Sequence, residues 1–133
     1  MGLFPIESVY YAIEIKSCLT SAELDKSIEN GRLLRLLNGA QPHSTIFAFS
    51  TDLKTEKEST RLISKEKDLL VPLPVNILCV VGREYIFWAD GQWMLFDNTE
   101  NNNEVVGFVV GVLNTIYQNQ YRNVNSVPGI YLF

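Results

Sequence analysis

The residues best suited to chemistry in this sequence are a glutamate and a lysine two positions apart, Glu14 and Lys16. They lie in the segment Val9-Tyr10-Tyr11-Ala12-Ile13-Glu14-Ile15-Lys16, whose β-branched and aromatic residues predict a strand. Because side chains alternate along a strand, the two project from one face with their Cβ atoms roughly 6–7 Å apart. A divalent metal ion at the carboxylate and a phosphate oxygen near the ammonium both fit that spacing.

The opposite face of this strand is fully apolar and contains Val9, Tyr11, Ile13 and Ile15. A glutamate and a lysine on one strand face are most often a solvated edge or a cross-strand ion pair worth under about 1 kcal/mol. The pair alone therefore does not predict catalysis. Little sequence precedes the strand, so a sheet that places it centrally lacks an upstream partner strand.

The length and composition are those of a soluble globular protein. The 133 residues fit one domain, 1–133, and 47% of them are hydrophobic and 20% charged. The net charge of −4 argues against a strongly basic nucleic-acid module, although a local basic groove remains compatible with it. Cys18 and Cys79 do not form a zinc or disulfide pattern and predict a reducing, cytoplasmic setting. The sequence shows no signal peptide and no apolar run of the roughly 20 residues that span a membrane.

A helix and a second strand are predicted directly after the first strand. The segment Thr20-Ser21-Ala22-Glu23 has the pattern of a capping box, and the helix is expected to end near Leu37, before Asn38-Gly39. Thr45-Ile46-Phe47-Ala48-Phe49 predicts the second strand. A strand, a helix and a strand in this order form a βαβ unit, whose two strands are parallel.

The second half of the chain predicts an antiparallel meander and an amphipathic helix. Three strands are expected, at residues 76–81, 84–88 and 93–96. Gly82-Arg83 and Asp90-Gly91 are typical of two-residue hairpin loops. Apolar residues at 105–116 repeat with helical spacing, and residues 130–133 predict a terminal strand. The fold prediction is therefore α/β: a mixed sheet with a parallel βαβ unit, an antiparallel meander and helices packed against it.

Three further groups of residues invite a functional interpretation but favour a structural one. His43 lies beside Pro42 and is predicted to be exposed in a loop. Trp88 and Trp93 flank a hairpin turn and are expected to form a cross-strand pair. The basic residues between 54 and 67 alternate with acids, which predicts a solvated helix at about 54–64.

The segment Tyr11-Ala12-Ile13-Glu14-Ile15-Lys16-Ser17, followed by Leu19-Thr20 and a helix, resembles the E-x-K strand of the PD-(D/E)xK nuclease superfamily. Together with residues 79–85 and 128–132, it is similar to an uncharacterised bacterial branch of that superfamily. The resemblance implies a restriction-endonuclease-like fold and metal-dependent hydrolysis of phosphodiesters. On the matching positions, Glu14 and the Ile15 carbonyl would bind Mg²⁺. Lys16 would position the attacking water or stabilise charge that develops on phosphorus.

The sequence departs from the superfamily pattern upstream of Glu14. The superfamily has a metal-binding Asp on a preceding strand, whereas the first Asp of this sequence is Asp25. The early helix and two strands of the superfamily core are also not recognisable, so the domain is interpreted as N-terminally abbreviated. One carboxylate is a poor Mg²⁺ site, because this ion needs several hard oxygen ligands.

Two hypotheses about function follow. The first is a degenerate or split PD-(D/E)xK-type nuclease that acts on nucleic acid and is inactive alone because the Asp is missing. In this hypothesis Glu14 and Lys16 form half of a metal site, which another chain or an upstream segment missing from this sequence completes. The second is a non-catalytic interaction or assembly module on the same fold. Both predict a homodimer or a partner chain, because missing strands leave an open sheet edge and natural proteins cover such edges.

Overall fold

The computed structural model describes residues 10–37 and 42–121, with side chains described as far as residue 118. The elements are β1 (Tyr11–Lys16), α1 (Ser21–Arg35), β2 (His43–Ala48), α2 (Glu58–Glu66), β3 (Ile77–Val80), β4 (Glu84–Ala89), β5 (Gln92–Phe96) and α3 (Asn103–Tyr121). The strands form one five-stranded sheet in the order β1-β2-β3-β4-β5. β1, β2 and β3 are parallel, whereas β3, β4 and β5 form an antiparallel meander. The predicted mixed α/β architecture is confirmed.

The first βαβ unit forms for the reasons that the sequence suggests. Thr20 is the N-cap of α1, and its hydroxyl accepts a hydrogen bond of 3.2 Å from the backbone N–H of Glu23. The Glu23 carboxylate contacts lysines instead of completing the predicted capping box. The expected helix stop at residues 38–39 and the expected strand at 130–133 lie outside the described residues.

Hydrophobic clusters lie on both faces of the sheet. The cluster beneath α1 and α2 includes Leu24, Ile46, Leu62, Leu78 and Ile86. The cluster beneath α3 includes Cys79, Tyr85 and Phe108, and half-buried side chains of β1 and β2 pack against it. The sheet is therefore the middle of three layers, with α1 and α2 on one side and α3 on the other.

Gly31 brings α1 close to the connection between α2 and β3. A Cβ atom at this position would lie 1.9 Å from the carbonyl oxygen of Pro74, so no other residue fits without a backbone shift. The close neighbour of α1 at this point is therefore the backbone of the proline-containing connection that leads into β3.

Burial of β1 is opposite to what its hydrophobicity predicts. The face with Glu14 and Lys16 is covered by α1, and both side chains are partly buried. Among the described residues of the apolar face, Tyr11 packs against the cluster beneath α3, whereas Ile13 is 45% exposed and Ile15 is 67% exposed. In the described residues, α3 packs mainly on β3 and β4 and meets β1 at its first residue, where the Tyr11 hydroxyl donates to the Gly111 carbonyl (3.5 Å).

Two local predictions need correction. The β3–β4 loop has three residues, Val81 to Arg83, because Val80 pairs with Glu84, so the predicted two-residue loop is wrong. Helix α2 begins at residue 58 and not at 54. The Arg83 guanidinium explains this start, because it donates to the backbone carbonyls of Leu53 (3.1 Å), Lys54 (3.5 Å) and Glu56 (2.8 Å) and so holds the preceding segment out of the helix.

The second hairpin and the aromatic pair follow the predictions. Asp90 and Gly91 both have positive φ, 52° and 77°, as a two-residue type I′ turn requires. Trp88 and Trp93 are register partners, and their ring centroids lie 5.4 Å apart in a T-shaped arrangement. Within residues 10–37 and 42–121, no helix is both long and apolar enough to cross a membrane.

Candidate active site on the first strand

Glu14 and Lys16 lie on the α1 side of β1, where three polar side chains of α1 contact them. The Glu14 carboxylate accepts one hydrogen bond from the Ser27 hydroxyl (2.8 Å) and another from the Asn30 side-chain amide (3.1 Å). The Lys16 ammonium lies 3.3 Å from an oxygen of Glu14 and 2.9 Å from an oxygen of Glu23. The structure therefore brings the two predicted site residues into contact with each other and with α1.

The three residues that α1 contributes were missed by the sequence analysis. Glu23, Ser27 and Asn30 are spaced at i, i+4 and i+7, which places them on one face of the helix. That spacing, directly after a strand with a polar face, is the pattern that predicts such contacts. Ser27 is 1% exposed, so its hydroxyl is positioned by the surrounding core rather than by solvent.

The contacts favour the ionised form of every charged group in this cluster. Burial alone would raise the pKa of Glu14, but hydrogen bonds from Ser27, Asn30 and Lys16 outweigh burial and leave the pKa below its usual value. The hydrogen bond to Glu23 is the main reason that the pKa of Lys16 is raised. The same bond lowers the pKa of Glu23. At neutral pH the cluster is one ammonium between two carboxylates.

The Ile15 carbonyl points away from β2. The carbonyl of Tyr10 accepts from the backbone N–H of His43 (2.8 Å), and the carbonyl of Lys16 accepts from Phe49 (2.9 Å). Backbone groups alternate in direction along a strand, so the carbonyl groups of the intervening odd-numbered residues face the other edge. Among the described residues no strand pairs with that edge. The Ile15 carbonyl is therefore not used by the sheet that the structure describes.

The residues present do not fit a complete Mg²⁺ site. Both oxygens of Glu14 already accept hydrogen bonds, and the Lys16 ammonium lies beside one of them. In the part of the chain that the structure describes, no group of three or more His, Cys, Asp or Glu side chains is arranged to hold a metal. Mg²⁺ needs several oxygen ligands in near-octahedral geometry. One carboxylate and one outward carbonyl supply too few of them.

A cavity of about 290 Å³ lies next to Glu14, between β1 and α1. Its lining includes Glu14, Asn30 and Ser44 among apolar side chains. The cavity lies toward the N-terminal end of β1, where Ala12 and its register partner Ser44 also line it. Lys16 does not line it.

His43 is not in an exposed loop, so that prediction was wrong. It is the first residue of β2 and is half buried, and its ring centroid lies 5.0 Å from that of Tyr11. The parallel register explains this position, because Tyr11 and His43 are direct neighbours across β1 and β2. His43 lies away from the Glu14 cluster, since its side chain does not project from the same face.

Two solved structures of NucC have a similar fold. The cAAA-bound form of NucC from P. aeruginosa matches with a TM-score of 0.61 at 17% identity, over 96% of this chain and 57% of that chain. The apo form of NucC from E. coli matches with a TM-score of 0.58 at 14% identity, over 96% of this chain and 61% of that chain. The chain thus spans about three fifths of the length of these NucC chains.

Comparisons at the level of sequence find no such similarity. No protein-family model matches the chain, and no curated protein matches it. The structural match at 14–17% identity is a likeness of fold. The five-stranded mixed sheet with its three helices in the described residues matches the restriction-endonuclease-like fold of NucC.

Proposed function

We propose that this chain is a degenerate or split nuclease of the PD-(D/E)xK type, which carries the E-x-K half of the site and is inactive alone. The observation that carries the proposal is the contact between Glu14 and Lys16 on a strand that leads into α1, within a restriction-endonuclease-like fold. The substrate class is nucleic acid, and the reaction is hydrolysis of a phosphodiester bond.

In this proposal the described residues supply one carboxylate ligand and one cation. Ser27 and Asn30 hold the Glu14 carboxylate in one orientation and in its ionised form, the form that would bind a divalent metal ion once further oxygen ligands were supplied. Lys16 remains charged and is positioned to stabilise negative charge on a phosphate. A second acid completes the site, and the open edge of β1 is where a strand that carries it can pair.

The second acid lies outside the given sequence in this proposal, either on another chain or on an upstream segment. The match covers 57% and 61% of the two NucC chains, so each of them contains a further segment with no counterpart in this sequence. A partner that supplies the corresponding strands would pair with β1, whose outward backbone groups have no partner among the described residues.

A non-catalytic assembly module is the second candidate. The exposed apolar side chains at the end of β1 favour it, because a surface with Ile13, Ile15 and Phe49 exposed is suited to protein contact. In this case Lys16 serves as the centre of an ion-pair cluster that fixes α1 on the sheet, and the cluster has no substrate.

Cleavage of plasmid and single-stranded DNA with Mg²⁺ or Mn²⁺ tests the nuclease proposal. The chain alone is expected to be inactive, whereas the chain mixed with the polypeptide that supplies the missing acid is expected to cut. Lys16→Ala should abolish that cleavage. Lys26→Ala is the matched control, because Lys26 also contacts Glu23 but is 69% exposed.

The DNA immediately upstream of the coding sequence is the first place to look for the polypeptide that should be mixed with this chain in the cleavage assay. An in-frame or adjacent region that encodes two strands and an Asp favours the split nuclease. Cleavage by the chain alone that Lys16→Ala removes would show that the site is already complete and that the split interpretation is wrong. Absence of cleavage with every encoded partner, with folded protein, would favour the assembly module.

A further inference from the structure

A second cavity, of about 250 Å³, lies on the opposite side of the sheet from Glu14, between the sheet and α3. Four of its lining side chains carry aromatic or imidazole rings, and Thr115 adds a hydroxyl from α3. These residues are Tyr11, His43, Tyr85, Phe87 and Thr115. Trp88 also lines the cavity, but its ring pairs with Trp93 on the other face of the sheet. Flat rings around a small space favour a flat ligand, because rings pack best against other rings in offset or edge-to-face arrangements.

The lining contains no Lys, Arg, Asp or Glu side chain. A phosphate or carboxylate in this cavity would therefore have no opposite charge, and its desolvation would be unfavourable. The volume lies below the roughly 300–1,000 Å³ of sites for drug-sized molecules, so the cavity holds about one fused ring system. These properties select a small, neutral, planar ligand.

His43 gives the cavity a hydrogen-bond donor, and its neighbours fix which nitrogen carries the proton. The side-chain oxygen of Asn76 accepts from the backbone N–H of Ser44 (3.0 Å), which places the Asn76 amide nitrogen 3.4 Å from Nδ1 of His43. An amide NH₂ only donates, so Nδ1 is the acceptor. Burial and then the nearby charge of Arg35 lower the pKa of His43, so the ring is neutral at pH 7. The proton of the neutral ring is therefore on Nε2.

We propose that this cavity is a binding site for a neutral, planar heteroaromatic molecule of about two fused rings. Its ring packs against the aromatic walls, and a ring nitrogen or carbonyl oxygen accepts a hydrogen bond from Nε2–H of His43. The site is independent of the proposed nuclease activity, because it lies on the other face of β1 and shares no lining residue with the cavity beside Glu14.

Titration calorimetry with two bicyclic probes tests the proposal. Quinoline has a ring nitrogen that accepts a hydrogen bond, whereas the ring N–H of indole donates one. Saturable binding of quinoline, tighter than that of indole, is the expected result. His43→Phe keeps a ring but removes the donor, so it should weaken quinoline binding about three- to tenfold and leave indole binding unchanged.

Two further variants keep the test decisive. Ala89 lines the cavity, so Ala89→Leu should fill it and remove the binding of both probes even if His43→Phe does not fold. Val109→Ala is the control, because Val109 lies on α3 outside the cavity lining and is 46% exposed. Absence of saturable quinoline binding, or equal losses of quinoline and indole binding in His43→Phe, would overturn the proposal. Binding that survives Ala89→Leu would do so as well.

Discussion

The charged face of β1 is covered by a helix, whereas its apolar face is largely exposed to solvent. This is the reverse of the arrangement that such side chains ordinarily favour. The charged face lies under α1, where Ser27 and Asn30 satisfy Glu14 and two acids share Lys16. The apolar face projects Ile13 and Ile15 largely into solvent. A covered charge is unfavourable unless it is paired, and these contacts supply the partners. In the two proposals above, the covered face would carry the chemistry and the exposed face the assembly contacts.

The largest expected effect on stability distinguishes helix α1, on one face of the sheet, from helix α3, on the other. Gly31→Ala should destabilise the protein by about 1–3 kcal/mol, because the new methyl group collides with the backbone of Pro74 and pushes α1 away from the charged face. Gly107→Ala in α3 is the matched control. Its Cβ would lie 3.3 Å from a Tyr85 side-chain carbon, and the change from Gly to Ala favours a helix by up to about 1 kcal/mol. Urea denaturation measures both, and equal losses of stability would contradict the assignment of the close contact to α1.

A smaller effect concerns the charged face itself. Ser27→Ala should lower the free energy of unfolding at pH 7 by about 1–2 kcal/mol, because the Glu14 carboxylate loses a partly buried hydrogen bond. Serine 21 provides the control, since Ser21→Ala changes an exposed residue at the start of the same helix.

The pH dependence sharpens this prediction. The pKa of Glu14 is lower in the folded protein than its ordinary value of 4.5, so its contribution to stability is present above pH 4.5 and is lost as pH falls through the folded value. Glu14→Gln should therefore flatten the acid limb of the stability curve. An unchanged acid limb in that variant would show that Glu14 is not held in its ionised form.

The smallest effect on stability is expected on the exposed face. Ile15→Thr should change the free energy of unfolding by less than about 0.5 kcal/mol, because the side chain is 67% exposed. The same change should weaken self-association or partner binding if this face is covered in an assembly, which analytical ultracentrifugation or a binding titration measures. Association that is unaffected by Ile15→Thr would move the interface elsewhere on the molecule.

The sequence predicted the order and pairing of the elements better than the surroundings of individual side chains. Alternation in β1, the cap at Thr20 and the Asp-Gly turn are local patterns, and they produced the expected strand, helix start and hairpin. The contact between Glu14 and Lys16 also follows from local spacing. These features depend on residues that are close together in the chain.

Features that depend on distant residues could not be predicted from the sequence in the same way. The position of His43 results from its register with Tyr11, and the start of α2 results from hydrogen bonds that Arg83 makes from another hairpin. The contacts of Ser27 and Asn30 with Glu14 required the packing angle of α1 on β1 to be known. The exposure of Ile13 and Ile15 depends on how far α3 extends over the sheet.

The strand order has a consequence for how the protein folds. Every strand of the described sheet pairs with its neighbour in the sequence, from β1 to β5. The antiparallel strands β3 to β5 are joined by short loops, whereas each parallel pair joins strands on either side of a helix, as Tyr11 with His43. Short loops close faster than long ones, so we expect the meander to form first and β1 to pair with β2 later. A partner that binds the other edge of β1 would then pair with a sheet that has already folded. Its binding would be a separate step, with a rate that depends on concentration.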